Sequence, residues 1–556
     1  MQHFAVMADA PLASDTSLQD AHSRSTLHRA PSDAKATLGM KPSSSPVWVV
    51  VRFAVFTRVA TLLLQLPLNL LIPDHDPGAF APPPSAHESP FSRAVEWSLG
   101  GLARWDAAYF LFVAEHGYAY EQSVAFFPLF PVLVRTLAFV GIGDENDGGS
   151  GGSGHPDVRG RLILSAVCLN AVAFAAAAAA LYGLGAAALR DEALALRAAL
   201  LFCVTPASVF MSAAYSESLF ACLSFAAALA LELRRRGTSV ALFALAAAAR
   251  ANGVVSAGFP VHRALSLCAD SCRRRGRTYA SDVLSVALAA ASAAAVAAPF
   301  VAFQAYGRDV FCRSGDGGGV ALPERLLAYA RSRGYVVRGA ARPAESPAEY
   351  CHAGWPTLYG HVQRTHWDVG FLRYYTARQL PNFALAAPMA VLAAAAVWSY
   401  ARRNWRLCLR LGLVQDGAGR EEGMGLRSGY YSSTTFVYVA HLAAMLLFGL
   451  TCMHVQVLTR FLASSCPAVY WFAAHLTLGR HLEPGGASRR PDASRDGTAL
   501  GDAAARAALG ALSRNDLTGD LARWGHLSAG ARLVYGYFLS YALLGVALHC
   551  NQFPWT

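Results

Sequence analysis

The chain alternates between long apolar segments and shorter polar ones. Its first apolar run covers about residues 47–72, despite Arg52 and Arg58, and is long enough as a helix to cross roughly 30 Å of hydrocarbon. Further apolar segments follow at about 124–143, 161–189, 193–213, 214–233, 238–260, 281–303, 383–401, 433–452, 460–480 and 531–549. Because backbone polar groups in a bilayer must be satisfied within the segment, these runs predict helices. We therefore expect an all-α polytopic membrane protein with about eleven spans.

The polar segments divide the chain into regions. Residues 1–46 are rich in Ser, Ala and charge without periodicity, and they predict a disordered cytoplasmic tail. Residues 144–159 predict a flexible linker, and 481–529 predict a flexible polar cytoplasmic loop. A bundle is expected over 47–480 with long loops at 73–123 and 304–380, and a last transmembrane helix with a luminal tail over 530–556. No signal-peptide pattern begins at Met1, so the first span would serve as the insertion signal.

Arginine clusters indicate which ends of the spans face the cytoplasm. The clusters at 234–236, 273–275 and 402–403 adjoin apolar runs, which places 304–380 and the carboxyl end in the lumen. Strict alternation from a cytoplasmic amino terminus would instead send 234–236 to the lumen, so one earlier segment does not cross. Pro206 and the polar residues 212–218 make 193–213 the candidate for a broken or re-entrant segment, and 238–268 is expected to be a hairpin interrupted at 250–253.

Composition supports a membrane protein. Of the 556 residues, 54% are hydrophobic and 15% are charged, and the mean hydropathy is +0.32, outside the usual balance of soluble domains. The net charge of +11 is carried by arginines that flank apolar runs, so we expect no nucleic-acid partner.

The eleven cysteines form neither a C-x-x-C pair nor a metal-ligand spacing, so we expect no metal site. Most lie inside spans and are interpreted as small apolar residues. Cys312 and Cys351 bracket a polar loop and would form a disulfide if that loop faces an oxidising lumen.

Acidic and aromatic residues are concentrated between the first two apolar runs. The stretch reads Arg-Trp-Asp-Ala-Ala-Tyr-Phe-Leu-Phe-Val-Ala-Glu-His-Gly-Tyr from Arg104, and Phe-Phe-Pro-Leu-Phe-Pro follows to Pro131. On a helix, Asp106 shares a face with Tyr109 and Phe110. A carboxylate held there beside aromatic rings is suited to act as a base toward a sugar hydroxyl. The alternative is an amphipathic connecting helix with solvated charges, and the residues alone favour neither.

Ionisable groups in or beside spans are costly, and each has a functional and a structural interpretation. Glu217, between two serines at the head of a span, either stabilises its helix amino terminus or holds a sugar hydroxyl or an arginine. Arg250 and Asn252 interrupt an apolar run, and a guanidinium at that depth favours phosphate binding over a structural ion pair.

Two further clusters lie in the second half of the chain. Residues 361–381 combine rings, arginines and a carboxylate, including His366 and Asp368, as a polar glycan would require, although each residue alone is better explained by loop packing. His454, Gln456 and Arg460 precede a span and would meet a lipid phosphate, or Arg460 would extend to the headgroups. No G-x-x-x-x-G-K-[ST], G-x-S-x-G or H-E-x-x-H motif occurs in a suitable context.

Taken together, these stretches resemble the GPI mannosyltransferase 2 family. The resemblance rests on short islands over 48–480 and 532–556: Arg104-Trp105-Asp106, Glu115-His116-Gly117-Tyr118, Phe126-Phe127-Pro128, the serine-rich 212–218 with Tyr215 and Glu217, Arg250 with Asn252-Gly253, Gly370-Phe371-Leu372 with Tyr374-Tyr375, Pro381-Asn382-Phe383, residues 454–465 and the final Phe-Pro-Trp-Thr. Nothing transfers to the tail or the two linkers.

The resemblance implies a GT-C type helical bundle of the endoplasmic reticulum membrane, whose luminal loops carry short interfacial helices and the active site. It implies transfer of the second mannose, in α-1,6 linkage and with inversion, from dolichyl phosphate mannose to the glycosylphosphatidylinositol (GPI) precursor. No cofactor is expected, and a small membrane partner subunit is left open.

We assign Asp106 as the catalytic base for the acceptor hydroxyl and expect the reaction to be independent of metal. The candidate substrate-binding residues are Trp105, Glu115, His116, Tyr215, Glu217, Arg250, Asn252, His366, Asp368, His454, Gln456 and Arg460. Among these, Arg250 and either Arg460 or His454 would stabilise the charge on the leaving phosphate. The alternatives are another dolichol-phosphate-sugar transferase, or a polytopic lipid transporter or flippase, which broken spans with an intramembrane arginine would also fit.

Overall fold

The computed structural model describes residues 45–83, 88–140, 158–275, 280–312, 322–339, 349–354, 357–413, 428–479 and 517–555. Nearly all of the predicted tail and linker 144–159, and most of 481–529, lie outside these ranges. The helices are α1 (Pro46–Leu71), α2 (Pro90–Leu99), α3 (Asp106–His116), α4 (Leu129–Phe139), α5 (Arg159–Leu189), α6 (Glu192–Cys203), α7 (Glu217–Glu232), α8 (Arg236–Ala249), α9 (Gly258–Arg275), α10 (Ala280–Cys312), α11 (Glu324–Arg333), α12 (Glu349–His352), α13 (Leu358–Trp367), α14 (Leu380–Arg403), α15 (Trp405–Leu409), α16 (Phe436–Cys452), α17 (Leu458–Ser465), α18 (Pro467–Thr477), α19 (Leu517–Ala522) and α20 (Ala529–Cys550).

The predicted all-α polytopic class is confirmed. Within the described ranges, six helices are long and apolar enough to cross a bilayer, namely α1, α5, α10, α14, α16 and α20. The other predicted spans consist of shorter helices separated by breaks. The Ala-rich α5, with 31 residues, is the most buried of these six helices, and its uninterrupted helix reflects the high helix propensity of alanine.

The segment that does not cross is α4, whereas 193–213 is broken, which is one of the two forms predicted for it. With 11 residues α4 is only about 16 Å long. Arg135 on α4 donates to the carbonyl of Ala114 at 2.8 Å, and α5 begins beside the same loop, where the Gly160 N–H donates to Ser92 Oγ at 3.1 Å. The chain therefore enters α5 on the side that it reached after α1.

The segment after α6 then returns to the side of loop 73–123. There the backbone N–H of Ala214 donates to the carbonyl of Leu102 at 3.0 Å. From that point α7 runs away again, which places 234–236 on the side opposite the loop, as its arginines predict.

Several helices are interrupted close to the polar residues that the sequence analysis selected. The predicted breaks are confirmed, because α6 stops at Cys203 before a 3₁₀ turn (Ser208–Met211), and α8 stops before a second one (Ala251–Ala257). Gly253 lets this second turn fold back on α8, since a Cβ there would lie 2.6 Å from the Cα of Ala247. A break between α17 and α18 was not expected from the hydropathy pattern; it coincides with Pro467, which lacks an N–H to continue the helix.

The two long loops dock against each other. Tyr120 forms an isolated antiparallel bridge with Val337, and its hydroxyl donates to the carbonyl of Leu326 at 2.9 Å. The predicted disulfide between Cys312 and Cys351 is confirmed, and it ties α12 to the end of α10. The loops therefore lie on the same side of the bundle.

The carboxyl-terminal part also contacts loop 73–123. The His75 backbone N–H donates to the carbonyl of Asn551 at 2.9 Å, and the rings of His75 and Phe553 stack with centroids 5.4 Å apart. At the other end of α20, part of the predicted flexible loop 481–529 is helical as α19. Its Asp520 accepts hydrogen bonds from Arg197 and from Tyr535, so this part of the loop is docked and the prediction of flexibility does not hold there.

Candidate active site

Asp106 is presented by a strained turn. A 3₁₀ turn (Gly100–Ala103) precedes it, and Trp105 then adopts φ 58° and ψ −128°, a conformation that costs a non-glycine residue about 1–3 kcal/mol. This turn makes Asp106 the first residue of α3, where a carboxylate faces the positive end of the helix dipole. Strain of this kind persists only where surrounding contacts fix the backbone.

Those contacts come from the segment between α6 and α7. The backbone N–H of Asp106 donates to the Tyr215 hydroxyl at 3.1 Å, and the preceding 3₁₀ turn is held through Leu102 and Ala214 as described above. Asn170 on α5 donates to the carbonyls of Ala213 and Tyr215 at 2.5 and 2.9 Å. Three separate parts of the sequence therefore fix the position of Asp106.

Four charged side chains meet at this point. Arg460 donates from Nη2 to Asp106 Oδ2 at 2.7 Å and from Nη1 to Glu217 Oε1 at 3.1 Å. Arg250 Nη1 lies 2.5 Å from the same Oε1 of Glu217. Two carboxylates and two guanidiniums thus form a continuous chain with no net formal charge.

The chain of ion pairs runs from the surface into the protein. The Asp106 side chain is 31% exposed, whereas that of Glu217 is fully buried. A buried carboxylate is strongly destabilising unless it is paired, so the two arginines stabilise Glu217 as much as Glu217 orients them. The prediction that Glu217 holds an arginine is confirmed, and Glu217 is also the first residue of α7, as the capping interpretation expected.

Aromatic rings enclose Arg460. Its guanidinium lies over the rings of Phe210 and Tyr215, 5.2 and 5.3 Å from their centroids. Such contacts stabilise a cation by about 0.5–2 kcal/mol. The predicted alternative, in which Arg460 extends to the headgroups, is therefore wrong, because the side chain points into the site.

The site retains unused hydrogen-bonding capacity. Trp105 Nε1, Arg460 Nε and Glu217 Oε2 are buried, and none of them bonds to a described residue. Asn252, beyond the break after α8, donates to Ser465 Oγ at 3.0 Å and so joins the Arg250 turn to α17. Two donors and one acceptor beside paired guanidiniums suit a ligand that carries hydroxyls and a phosphate.

The remaining predicted residues lie outside this cluster. Glu115 and His116 pair with each other at 3.5 Å, at the far end of α3 and about 14 Å along the helix from Asp106. Asp368 is 78% exposed and pairs with Arg373 at 2.9 Å, so the structure does not bring it to the site. His366 turns the other way, with Nε2 3.4 Å from Glu121 Oε2.

His454 and Gln456 belong to a second polar group on the approach to α17. The Tyr374 hydroxyl donates to Gln456 Oε1 at 3.0 Å and accepts from Asn382, while its ring stacks on His454 with centroids 4.6 Å apart. Partial burial lowers the pKa of His454 below its usual range, so the ring is neutral at neutral pH. A neutral ring does not supply the positive charge suggested for a phosphate, which leaves that role to the arginines.

Other residues that shape the site were given no role from the sequence. Arg58 donates to the Ser208 carbonyl at 2.7 Å and to Ser212 Oγ at 2.9 Å, and so holds the turn before Tyr215. His549 is buried with its ring edge-on to Tyr215, at 5.5 Å. Like Asn170, both are polar side chains within apolar runs, and the energetic cost of placing a polar group there marks such residues in the sequence.

No group of three or more His, Cys, Asp or Glu side chains within the described ranges is placed to hold a metal ion. Metal independence stays a prediction.

Comparison with known proteins gives consistent matches. A profile of the family described as "Mannosyltransferase (PIG-V)" matches residues 47–556. The chain is 41% identical over 527 residues to GPI alpha-1,6-mannosyltransferase 2 of Homo sapiens, covering 91% of this chain and 98% of that protein. It is 40% identical to the protein of the same name from Cricetulus griseus over 523 residues, with the same coverage. It is 30% identical to GPI mannosyltransferase 2 of Drosophila melanogaster over 519 residues, covering 91% of this chain and 99% of that one.

Among solved structures, the apo crystal structure of the Archaeoglobus fulgidus oligosaccharyltransferase matches with a TM-score of 0.39 and 14% identity. The match covers 87% of this chain and 56% of that one, and a likeness this distant carries no argument.

Proposed function

This chain belongs to the mannosyltransferase (PIG-V) family, and from that premise we propose that it adds the second mannose, in α-1,6 linkage, to the GPI-anchor precursor. The chain is a multi-pass membrane mannosyltransferase, so both its sugar donor and its acceptor reach it in a membrane. The donor in the proposal is dolichyl phosphate mannose, and the reaction takes place on the luminal side of the endoplasmic reticulum membrane.

One observation carries the proposal, namely the Asp106–Arg460–Glu217–Arg250 chain of ion pairs. A transferase that uses a lipid-phosphate sugar needs a base for the acceptor hydroxyl and positive charge for the leaving phosphate. Asp106 is the exposed member of the chain, and the two guanidiniums lie on either side of Glu217. The arrangement supports the proposal because it holds an exposed carboxylate next to two cations.

The proposed reaction is a single displacement. The acceptor 6-hydroxyl oxygen attacks the anomeric carbon of the donor and forms the new C–O bond, while its proton passes to the Asp106 carboxylate. The bond between the anomeric carbon and the phosphate oxygen breaks, and its electron pair stays on dolichyl phosphate. Attack opposite the leaving group inverts a β-linked donor to an α product. No general acid is required, because the phosphate leaves as a stable anion.

Arg460 couples the two halves of this reaction. The Asp106 carboxylate already accepts a hydrogen bond from Arg460, so this bond has to loosen before the carboxylate receives the acceptor proton. A donor phosphate competes for Arg460 and Arg250 with the same bidentate geometry as a carboxylate. Donor binding would therefore release Asp106 for the acceptor.

The experiment that tests the function is lipid analysis of cells depleted of the protein. We expect a GPI precursor with one mannose to accumulate, and re-expression of the intact chain to remove it. A shortened N-glycan precursor would identify a different dolichol-phosphate-sugar transferase instead. Complete precursor on the wrong side of the membrane would indicate a lipid flippase, and either result would overturn the proposal.

A further inference from the structure

Trp367 packs against α3, the helix that carries the proposed base. Its ring is half-buried and lies 6.1 Å from the ring of Tyr109 and 6.0 Å from that of Phe126, at steep angles to both. Tyr109 is one helical turn from Asp106 on α3. The Trp367 backbone also interacts with the ring of His454, six residues before Arg460.

A buried polar cluster fixes the end of α13 that presents this ring. Glu121, which is 3% exposed, accepts a hydrogen bond from the Tyr350 hydroxyl at 2.5 Å, and His366 Nε2 lies 3.4 Å from its other oxygen. The disulfide at Cys351 restrains Tyr350, the residue next to it. Since His366 is the immediate neighbour of Trp367, this cluster sets where the indole ring lies.

The neighbouring rings form a rigid wall behind Trp367. Phe80, Tyr109 and Phe126 stack nearly parallel, with successive centroids 4.0 and 4.5 Å apart. Burial and the nearby Tyr335 and Asp106 raise the pKa of Tyr109, so its hydroxyl stays protonated and donates to the Tyr335 hydroxyl within the wall. An indole face held against this wall matches a pyranose, which stacks its apolar C–H face on aromatic rings.

We infer that Trp367 is the platform for the acceptor sugar, a hexopyranose of the glycolipid, and that it sets specificity for the acceptor rather than the donor. The inference rests on the proposed function. We assign the acceptor sugar to Trp367 by position, because the sugar whose hydroxyl gives its proton to Asp106 has to lie over the first turn of α3. The lipid phosphate belongs with Arg250, on the far side of Glu217.

The test compares two variants that preserve bulk and apolar character, Trp367→Phe and Trp367→Leu. Phenylalanine keeps an aromatic face, whereas leucine keeps only the packing. In membranes supplied with the one-mannose acceptor and donor, we expect Trp367→Leu to raise the KM for the acceptor about five- to tenfold, with the KM for the donor nearly unchanged. Trp367→Phe should stay within about twofold of the intact chain. Trp398→Leu is the control, because that ring is 69% exposed on α14.

Either of two outcomes would overturn the inference. The first is equal acceptor KM values in the two variants. The second is a fall in Vmax that follows the amount of folded protein while both KM values stay unchanged, as a merely structural role would give. The intact chain separates this result from the proposed function. If it converts no one-mannose acceptor, the function fails; if it converts acceptor and the variants match it, only the role of Trp367 fails.

Discussion

Asp106 is both the proposed base and the ion-pair partner of Arg460, and these two roles oppose each other. A guanidinium at 2.7 Å holds the carboxylate in place and occupies the oxygen that would receive the proton. The energetic gain from a pair that is 31% exposed on the acidic side is modest, so the proposed reaction needs little energy to open the pair once both substrates are bound. The pair is therefore strong enough to place Asp106 and weak enough to open.

Replacing Asp106 by Asn tests the base directly. The amide keeps the size of the side chain but accepts no proton, so we expect product formation in washed membranes to fall by about 10²–10⁴-fold at unchanged protein level. Asp74→Asn is the matched control, since Asp74 lies in the same loop and pairs with Arg104 at a more exposed position. Full activity in the Asp106 variant would remove this residue from the role.

Residue chemistry predicted much of the cluster but not its pairing. Asp106, Glu217, Arg250 and Arg460 were each selected because ionisable groups near a span are costly, and they meet although they are up to 354 positions apart. Asp368 was also selected, yet it faces Arg373, and its neighbour Trp367 contacts Tyr109 on α3 instead. Which of two adjacent side chains points inward depends on tertiary packing, which residue types alone do not determine.

At the scale of elements, the hydropathy pattern located the apolar runs correctly but did not show which of them form a single continuous helix. A window average does not distinguish one long helix from two short ones separated by Pro467. It also cannot tell a span from α4, whose composition is as apolar but whose length is half of what a crossing requires. The breaks after α6 and α8 were predictable, because Pro206 and the group around Arg250 mark them.

The disulfide is the element-scale feature that is easiest to test. Removing it with Cys312→Ser and Cys351→Ser frees α12, so Tyr350 is less firmly held against Glu121. We expect faster proteolysis of the 304–380 loop and a loss of activity, with Tyr350→Phe lowering activity in the same direction. For a loop closed over 39 residues, the loss of stabilisation is on the order of 3–4 kcal/mol.

Cys268→Ser with Cys272→Ser is the control pair, because both thiols are free and lie on α9. Unchanged protease resistance and activity in the variant that lacks the disulfide would show that the loop is held by its packing alone.

At the scale of the whole molecule, three separate regions share one face of the bundle. Loop 304–380 bonds to loop 73–123 through Tyr120, and the carboxyl-terminal residues bond to it through His75. The segment near Leu411 lies at the other end, where its carbonyl meets His262 and where Gly429 meets the end of α5. This arrangement agrees with the orientation that the arginine clusters predict.

Introduced N-glycosylation sites test this topology, because they report which side of the membrane each segment faces. Sequons introduced at 340–348 and appended after Thr556 should both be glycosylated, whereas one at 414–427 should not, because only luminal sites receive the glycan. Each insertion has to be checked for retained activity. Modification of the 414–427 site, or of the appended site without the 340–348 site, would contradict the shared face and the proposed luminal reaction.

The internal neutrality of the ion-pair chain affects how the enzyme selects its lipid. A bilayer surrounds the protein with phosphodiester headgroups at high local concentration, and two bare guanidiniums would capture them. With Glu217 and Asp106 already occupying both arginines, an ordinary phospholipid gains little by entering, since it would have to displace a carboxylate and leave it unpaired. A ligand that also places a sugar beside the freed carboxylate offsets the energetic cost of that displacement. Competition within the site would therefore discriminate against the abundant lipids of the membrane.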